Sequence, residues 1–460
     1  MDSKALNIAY IGGGSRAWAW TFMTDLALEP ELGGVIRLYD IDRDAAKNNE
    51  IIGNRVSAHP GARGKWKYAV SATIEEALDG ADFVIISILP GTFKQMRSDV
   101  HLPERHGIYQ SVGDTTGPGG IIRALRTVPL FAGFAESIRR HAPNAWVVNY
   151  TNPMALCVRT LYAVFPEIKA FGCCHEVFGM QSLLAAMVRR ELGDRDAKRG
   201  DIHVNVLGLN HFTWFDRASY RGHDLFGVYS RFADEFYGAG FEDGNDRMPD
   251  RCFTSVNRVK FDLFRKYGLM AAAGDRHLAE FMPGEIYLKD AQTAEGWGFY
   301  LTGVDWREQD LTRRLAKSAE LVSGAREIEL EPSGEEGILL IKALCGLTRA
   351  VSNVNLPNAC GQIANLPRET VTETNALFSL NDIRPVAAGS LPDGVRALIE
   401  PHAVNQSEVL SAALDCDREA VYRAFERDPL SRHMNPVELR ELADGMIENT
   451  LDYLPSEWRR

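Results

Sequence analysis

The chain carries no excess of positive charge: Lys and Arg number 51 against 62 Asp and Glu, for a formal charge of −11 at pH 7. No basic run offsets that balance, so a nucleic-acid partner is not expected. No apolar run is long enough to span a bilayer, so no membrane partner is expected either. The seven cysteines (Cys157, Cys173, Cys174, Cys252, Cys345, Cys360 and Cys416) are odd in number and lack the spacing of a disulfide framework. This is the usage of a reduced, cytoplasmic protein in which most thiols act as small buried hydrophobes. The opening residues are polar and lead straight into a strand, without the pattern of a signal peptide. Internal repeats and low-complexity linkers are also missing. What is present is core material: 460 residues, 45% of them hydrophobic, more than one typical domain uses.

Short apolar runs alternate with helical spacings in the first part of the chain. Strands are predicted at 6–11, 35–39, 67–70, 83–88, 145–149 and 168–171, and helices at 18–28, 45–52, 73–78, 121–141 and 154–164. That alternation predicts an α/β fold with a doubly wound, Rossmann-like parallel sheet. Beyond residue 195 the rhythm changes. Segments 203–207 and 212–218 read as a strand pair, and helices are predicted at 256–267, 307–321, 337–348, 404–414, 418–426 and 436–453. The expected organisation is a dinucleotide-binding domain over 1–195, then a mixed α+β, helix-rich domain for substrate and metal over 196–460.

Gly12, Gly14 and Ser15 fall between the first strand and the first helix. Glycine there permits positive φ and a close backbone approach to a pyrophosphate, while the helix start offers free N–H groups. Asp40 ends the second strand, where a carboxylate can accept from ribose hydroxyls, which favours NAD over its 2′-phosphorylated form. The alternative for Asp40 is a helix N-cap. Loops at the carboxyl edge of parallel strands bind ligands, so Ser87 and Asn149, which end later strands, and Arg16 join the expected cofactor set. Asn152 falls near the nicotinamide end; otherwise it is a turn residue before Pro153.

Cys174 follows the 168–171 strand and His211 lies between two apolar segments. A thiol and an imidazole are both good ligands for borderline divalent metals, and softness alone favours zinc. Two protein ligands would leave positions open for substrate. Burial without metal is the other reading of the pair.

Taken together, several segments resemble glycoside hydrolase family 4. They are Gly12-Gly13-Gly14-Ser15, Gly113-Asp114-Thr115-Thr116-Gly117, Thr151-Asn152-Pro153, Cys174-His175-Glu176-Val177, Gly208-Leu209-Asn210-His211, Asn355-Leu356-Pro357-Asn358, Gly361-Gln362-Ile363-Ala364-Asn365 and Asp428-Pro429-Leu430. This family is an exception to the two-carboxylate rule of glycosidases. The resemblance implies a fold like that of lactate and malate dehydrogenases, together with NAD and Mn2+. It also implies oxidation of the sugar at C3, proton removal at C2, elimination of the leaving group at C1, addition of water and re-reduction. By position, Cys174 and His211 would hold the metal, Asn152 the C2–C3 hydroxyl region, and Asp114 would tune the base. His175 would be the acid or a hydrogen-bond donor to substrate. Some relatives use a tyrosine as base; here Asp262, Tyr267 and metal-bound hydroxide are the candidates. The alternative for Tyr267 is a core or capping residue before Gly268.

Within that family, His175-Glu176-Val177 after the cysteine looks like the α-galacturonidases, which implies small pectin-derived uronides as substrates. α-Glucosidase, α-galactosidase and α-glucuronidase activities are the alternatives inside the family, and a 2-hydroxy-acid dehydrogenase or a non-catalytic NAD sensor outside it. A uronate needs a cation, and Arg97, Arg276 and His277 are the options. Glu176 would repel such a substrate unless it points away. The resemblance further implies a homodimer or homotetramer.

Overall fold

Buried, β-rich runs build the first sheet. A computed structural model describes residues 4–242 and 250–459. Six strands run parallel: β1 (Lys4–Ile11), β2 (Leu32–Tyr39), β3 (Lys65–Val70), β4 (Phe83–Ile86), β5 (Trp146–Asn149) and β6 (Lys169–Gly172). All four residues of β4 are buried, because helices cover both faces of the sheet. The crossovers carry α1 (Trp18–Leu28), α2 (Arg43–Ser57), α3 (Ile74–Leu78), α4 (Phe93–His101), α5 (Gly117–His141) and α6 (Met154–Val164), and α7 (Glu176–Glu191) follows β6. Local chemistry sets several helix starts. Asp42 accepts from the N–H of Ala45 to cap α2, and Thr73 accepts from Glu76 to cap α3. The strand order β3-β2-β1-β4-β5-β6 is the doubly wound order, with its switch point between β1 and β4.

The rest of the chain forms a second sheet and most of the helices. It comprises β7 (Ile202–Leu209), β8 (Phe212–Tyr220), β9 (His223–Asp224) and β10 (Met270–Ala271), all antiparallel. The predicted pair at 203–207 and 212–218 is thus a hairpin. Helices Arg258–Tyr267, Val304–Ser323, Gly337–Leu344, Arg418–Arg427 and Pro436–Glu448 match the expected segments with shifted ends. The helix expected at 404–414 is longer, Asp393–Asp415, and carries Pro401 inside it.

Three strands of this later region were not legible beforehand. β11 (Ala350–Pro357), β12 (Val371–Ser379) and β13 (Asp382–Pro385) add to the first sheet antiparallel, next to β6. Their pattern misleads because polar residues occupy buried positions. Val354, Leu356, Ala376 and Phe378 face the apolar core shared with β1 and β2. Asn353, Asn355 and Glu373 are also buried, and Asn355 pairs directly across from Glu373. A strand that buries apolar groups on one face and amides and a carboxyl on the other does not read as a half-solvated strand.

Candidate functional site

The β7–β8 hairpin turns through Asn210 and His211, with Leu209 paired to Phe212. His211 has φ +63, a left-handed conformation that non-glycine residues seldom adopt. Two contacts hold the ring of this turn residue. Its Nδ1 lies 2.9 Å from the Thr115 hydroxyl, its ring centroid lies 3.8 Å from that of His277, and the residue is 4% exposed. Thr115 in turn donates to Asp114 Oδ1 at 2.8 Å. Burial lowers the His211 pKa despite the nearby Glu176 and Asp114 carboxylates, so the imidazole is neutral.

Cys174 lies in the loop after β6, just before α7. Its sulfur receives the N–H of Glu176, in the first turn of α7, and the side-chain amide of Asn210, the neighbour of His211. The hairpin and the β6 edge therefore bring the expected thiol and imidazole to one place. Asn210 also donates to Glu373 Oε2 at 3.2 Å, and Asn353 donates to Glu373 Oε1 at 2.6 Å and to the Cys174 carbonyl at 3.2 Å. Burial, with Glu373 and Glu176 nearby, raises the thiol's pKa well above its ordinary value. Without a cation this cysteine is protonated, although the donors aimed at its sulfur are those a thiolate needs. Among the described residues, no group of three or more His, Cys, Asp and Glu could hold a metal ion. A cation here would take a sulfur and a ring nitrogen from the protein and keep open positions. The donor set fits such an ion, since His211 is neutral and its ring is engaged through Nδ1, with no partner on Nε2 among the described residues.

Asp114 and Asn152 belong to the same site. Asn152 Nδ2 lies 3.5 Å from Asp114 Oδ2, and its Oδ1 is buried without a partner among the described residues. Burial opposes the charge on Asp114, but Arg123, His211, His277 and Arg307 outweigh it and hold its carboxyl well below the usual range. His175 is at the rim, its side chain 48% exposed, with Nδ1 3.4 Å from Glu335 and its ring 5.8 Å from that of Trp18. Glu176 lies just inside the rim: its Oε2 accepts the Gly274 N–H at 2.7 Å, and its Oε1 lies 3.6 Å from His277 Nε2 and 3.8 Å from His175 Nε2. Burial opposes its charge, but the neighbouring His277, His175 and His211 and the Gly274 N–H hold its carboxyl well below the usual range.

Several groups here carried no sequence signal. Arg123 and Arg307 stand near Asp114, Glu280 accepts the N–H groups of Val112 and Gly113 at 2.7 and 2.9 Å, and Glu373 backs Cys174. Burial raises the Glu280 carboxyl to about 8 and the Glu373 carboxyl to about 7. Charged residues on the inward face of α5 and amides alternating along β11 were the available hints. Each reads equally well as ordinary burial.

The expected cofactor residues line the carboxyl edge. Gly12 has φ +88, and a Cβ there would meet the Ser87 carbonyl at 2.0 Å. A Cβ on Gly14 would meet Asp40 Oδ2 at 2.9 Å. Asp40 accepts the N–H of Gly14 at 2.8 Å and of Asp42 at 2.9 Å, tying the glycine turn to the end of β2. Asp40 is therefore not the helix N-cap, a role that Asp42 takes while also pairing with Arg16 at 3.3 Å. Ser15 closes the turn through its N–H to the Gly12 carbonyl. No side chain caps the start of α1, so its first N–H groups can receive a phosphate; the turn fits a dinucleotide. Two members of the set are engaged internally. The Asn149 amide bonds both ways with the Thr151 backbone, and the Ser87 hydroxyl bonds Tyr10.

The two side-chain candidates for the base do not join this group. Asp262 accepts from Tyr237 at 2.9 Å, from Lys266 at 2.6 Å and from Tyr287. Burial opposes its charge, but those hydrogen bonds lower its pKa. Tyr267 ends its helix before Gly268, which is left-handed at φ +70, and packs edge-on to Trp214 at 5.9 Å. Among the described residues, no hydrogen bond or ion pair links Asp262 or Tyr267 to Cys174, His211, Asp114 or Asn152. Both face the interior of the helical region, Asp262 as a hydrogen-bond hub and Tyr267 as core.

Comparison with known proteins adds to this geometry. Residues 7–190 match the family described as Family 4 glycosyl hydrolase, and residues 206–431 match the Family 4 glycosyl hydrolase C-terminal domain. The chain is 58% identical to the alpha-galacturonidase of Lachnoclostridium phytofermentans, over 98% of this chain and 97% of that protein. It is 55% identical to the alpha-galacturonidase of Thermoanaerobacterium saccharolyticum, over 98% and 96% of the two chains. Its fold superposes with a TM-score of 0.81 on a 6-phospho-alpha-glucosidase from gut microorganisms solved with NAD and Mn2+, at 19% identity and covering 98% and 99% of the chains.

Proposed function

The chain belongs to family 4 of the glycosyl hydrolases, and from that premise we propose that it hydrolyses small α-galacturonides with NAD and a divalent cation such as Mn2+. The observation that carries the substrate is the near full-length identity of 58% to an alpha-galacturonidase. The reaction class is oxidation at C3, elimination across C1 and C2, addition of water and reduction, with net hydrolysis. When bound, NAD would take up and return the C3 hydride, and the cation would act as a Lewis acid on the sugar oxygens.

The chain's own residues have these proposed tasks. Cys174 and His211 hold the cation. Asn152 orients the C2–C3 hydroxyls through its unpartnered Oδ1. Asp114 keeps its negative charge beside those hydroxyls and orders Thr115. His175, at the rim, gives a proton or a hydrogen bond to the departing oxygen. Gly12, Gly14 and the start of α1 seat the pyrophosphate, and Asp40 the adenosine ribose. The 2-hydroxy-acid dehydrogenase alternative shares the sheet but leaves the thiol–imidazole pair without a task.

The test is a panel of chromogenic glycosides assayed with and without NAD and Mn2+. Galacturonide turnover that needs both, leaves NAD unchanged in amount and slows on C2 deuteration is the expected result. Turnover of an α-glucoside or a phosphorylated glycoside with galacturonides untouched would overturn the substrate reading. Among the described residues, no helix is long and apolar enough to cross a membrane. We further propose a cytoplasmic homodimer or homotetramer, to be checked by light scattering on the purified protein.

A further inference from the structure

Three guanidiniums lie within electrostatic reach of Asp114, from Arg123, Arg307 and, more weakly, Arg276. Arg123 is committed to the Asn152 carbonyl at 3.1 Å. The other two are held in place by neutral groups. Arg276 donates through Nη1 to Thr302 Oγ1 and lies over the Phe253 ring at 4.6 Å. Arg307 donates through Nη2 to the Val112 carbonyl at 2.8 Å and through Nε to the Thr302 carbonyl at 3.4 Å. Their side chains are thereby clamped to one framework, since Ser111 donates to the Arg276 carbonyl at 2.6 Å and Thr302 donates its N–H to the Ser111 carbonyl.

Neither cation has an ion pair among the described residues; burial lowers the pKa of both, and Arg276 lowers that of Arg307 further. The carboxylates nearby are otherwise engaged. Asp114 accepts from Thr115, Glu176 accepts from Gly274, and Glu280 accepts from Val112 and Gly113 and is pushed up to about 8 by burial. Arg276 Nε and Nη2 and Arg307 Nη1 have no acceptor among the described residues. Two guanidiniums anchored on the same Thr302 and removed from most of the solvent lower their free energy by taking up an anion. Both are only partly buried, so a ligand can reach them. Arg97 and His277 do not offer a free positive charge. Arg97 is already paired with Asp305 at 2.6 Å and Glu308 at 3.1 Å, and His277, lowered to about 3 by burial and by His211, is neutral.

We propose that Arg276 and Arg307 seat the carboxylate of the uronide, and so set the enzyme's choice of a uronic acid over the corresponding neutral sugar. This assignment rests on the galacturonide reading above and adds its specificity determinant. A planar carboxylate suits two free guanidinium edges, whereas a hydroxymethyl group in that place leaves both cations without a counter-ion.

The test uses the full-length enzyme loaded with NAD and Mn2+, and three α-linked chromogenic substrates: the galacturonide, its methyl ester and the galactoside. Wild type should prefer the acid to the ester by roughly 10- to 100-fold in kcat/KM, the worth of hydrogen bonds to a charged group. Arg276→Gln and Arg307→Gln should lose most of that factor on the acid, chiefly through KM, and little on the ester. Mn2+ affinity, read by electron paramagnetic resonance, should not move. Equal losses on acid and ester, or an undiminished preference for the acid, overturn the assignment. Should a variant fail to fold, wild type alone decides: an ester turned over as well as the acid also overturns it. Wild type inactive on every galacturonide overturns the functional reading itself, a result distinct from retained turnover without discrimination.

Discussion

His211 Nδ1 and the Thr115 hydroxyl are 2.9 Å apart, and the direction of that hydrogen bond is set by Asp114. Thr115 has one hydroxyl hydrogen, and it goes to Asp114 Oδ1 at 2.8 Å. Asp114 is ionised and can only accept. Thr115 must therefore accept from His211, which puts the ring hydrogen on Nδ1 and leaves the Nε2 lone pair bare for a cation. A carboxylate thus fixes a histidine tautomer through an intervening hydroxyl.

Replacing Thr115 by Val removes the hydroxyl at nearly constant shape. Mn2+ affinity should fall by roughly 10- to 100-fold, the usual effect of losing a residue that orients a metal ligand. Thr115→Ser should restore it. Titrating free Mn2+ by electron paramagnetic resonance checks both variants, and an unchanged affinity in Thr115→Val would refute the relay.

Cys174→Ser should abolish Mn2+-dependent turnover and strip the sulfur-to-metal absorption band from the Co2+-substituted protein. NAD binding, followed by fluorescence, should survive, because the glycine turn lies at a different strand end. A variant that keeps full rate would show that the sulfur holds no metal.

Glu280 makes stability depend on pH. Its folded carboxyl sits at about 8 against an ordinary 4.5, with burial the main cause. A raised acid contributes fully below its unfolded pKa, and the contribution is lost as pH rises through the folded value. Stability should therefore decline from about pH 4.5 to about pH 8 and level off above it. Glu280→Gln keeps an acceptor for Val112 and Gly113 and cannot ionise. It should match wild type near pH 4 and melt higher at pH 8. Parallel melting curves at all pH values would contradict this.

Gly208 supports the metal turn. It pairs with Thr213 across the hairpin and has φ +148, and a Cβ there would meet the carbonyl of Phe212, the residue after His211, at 2.3 Å. Gly208→Ala should lose about 1–3 kcal/mol through backbone strain. It should also weaken Mn2+ binding, because the turn must shift. Urea denaturation and the same Mn2+ titration measure the two effects separately.

The first sheet was legible because fully buried strands and amphipathic helices have distinct periods. The 154–164 prediction coincides with Met154–Val164, and the 203–218 hairpin follows from two apolar runs broken at Asn210-His211. β11 and β12 escaped notice because Asn353, Asn355 and Glu373 are buried for the sake of Cys174 and its surroundings, which breaks the pattern that marks a strand. Asp262 and Tyr267 were legible as members of a helix, but a helical period does not say which neighbour each face meets. Asp262 met Tyr237, Tyr287 and Lys266.

The order of residues along the chain already determined the glycine turn at the first strand end, the acid after the second, and a thiol and an imidazole each ending an apolar run. These are local matters, governed by backbone conformation and hydrophobic period over a few neighbouring residues. Only tertiary structure decided that Thr115 orients His211, that Glu373 stands behind Cys174, and that Arg276 and Arg307 share Thr302 without a carboxylate partner among the described residues. Those relations join residues far apart in sequence, and their energies depend on burial and on charge within a few ångströms. Neither quantity exists until the chain has folded.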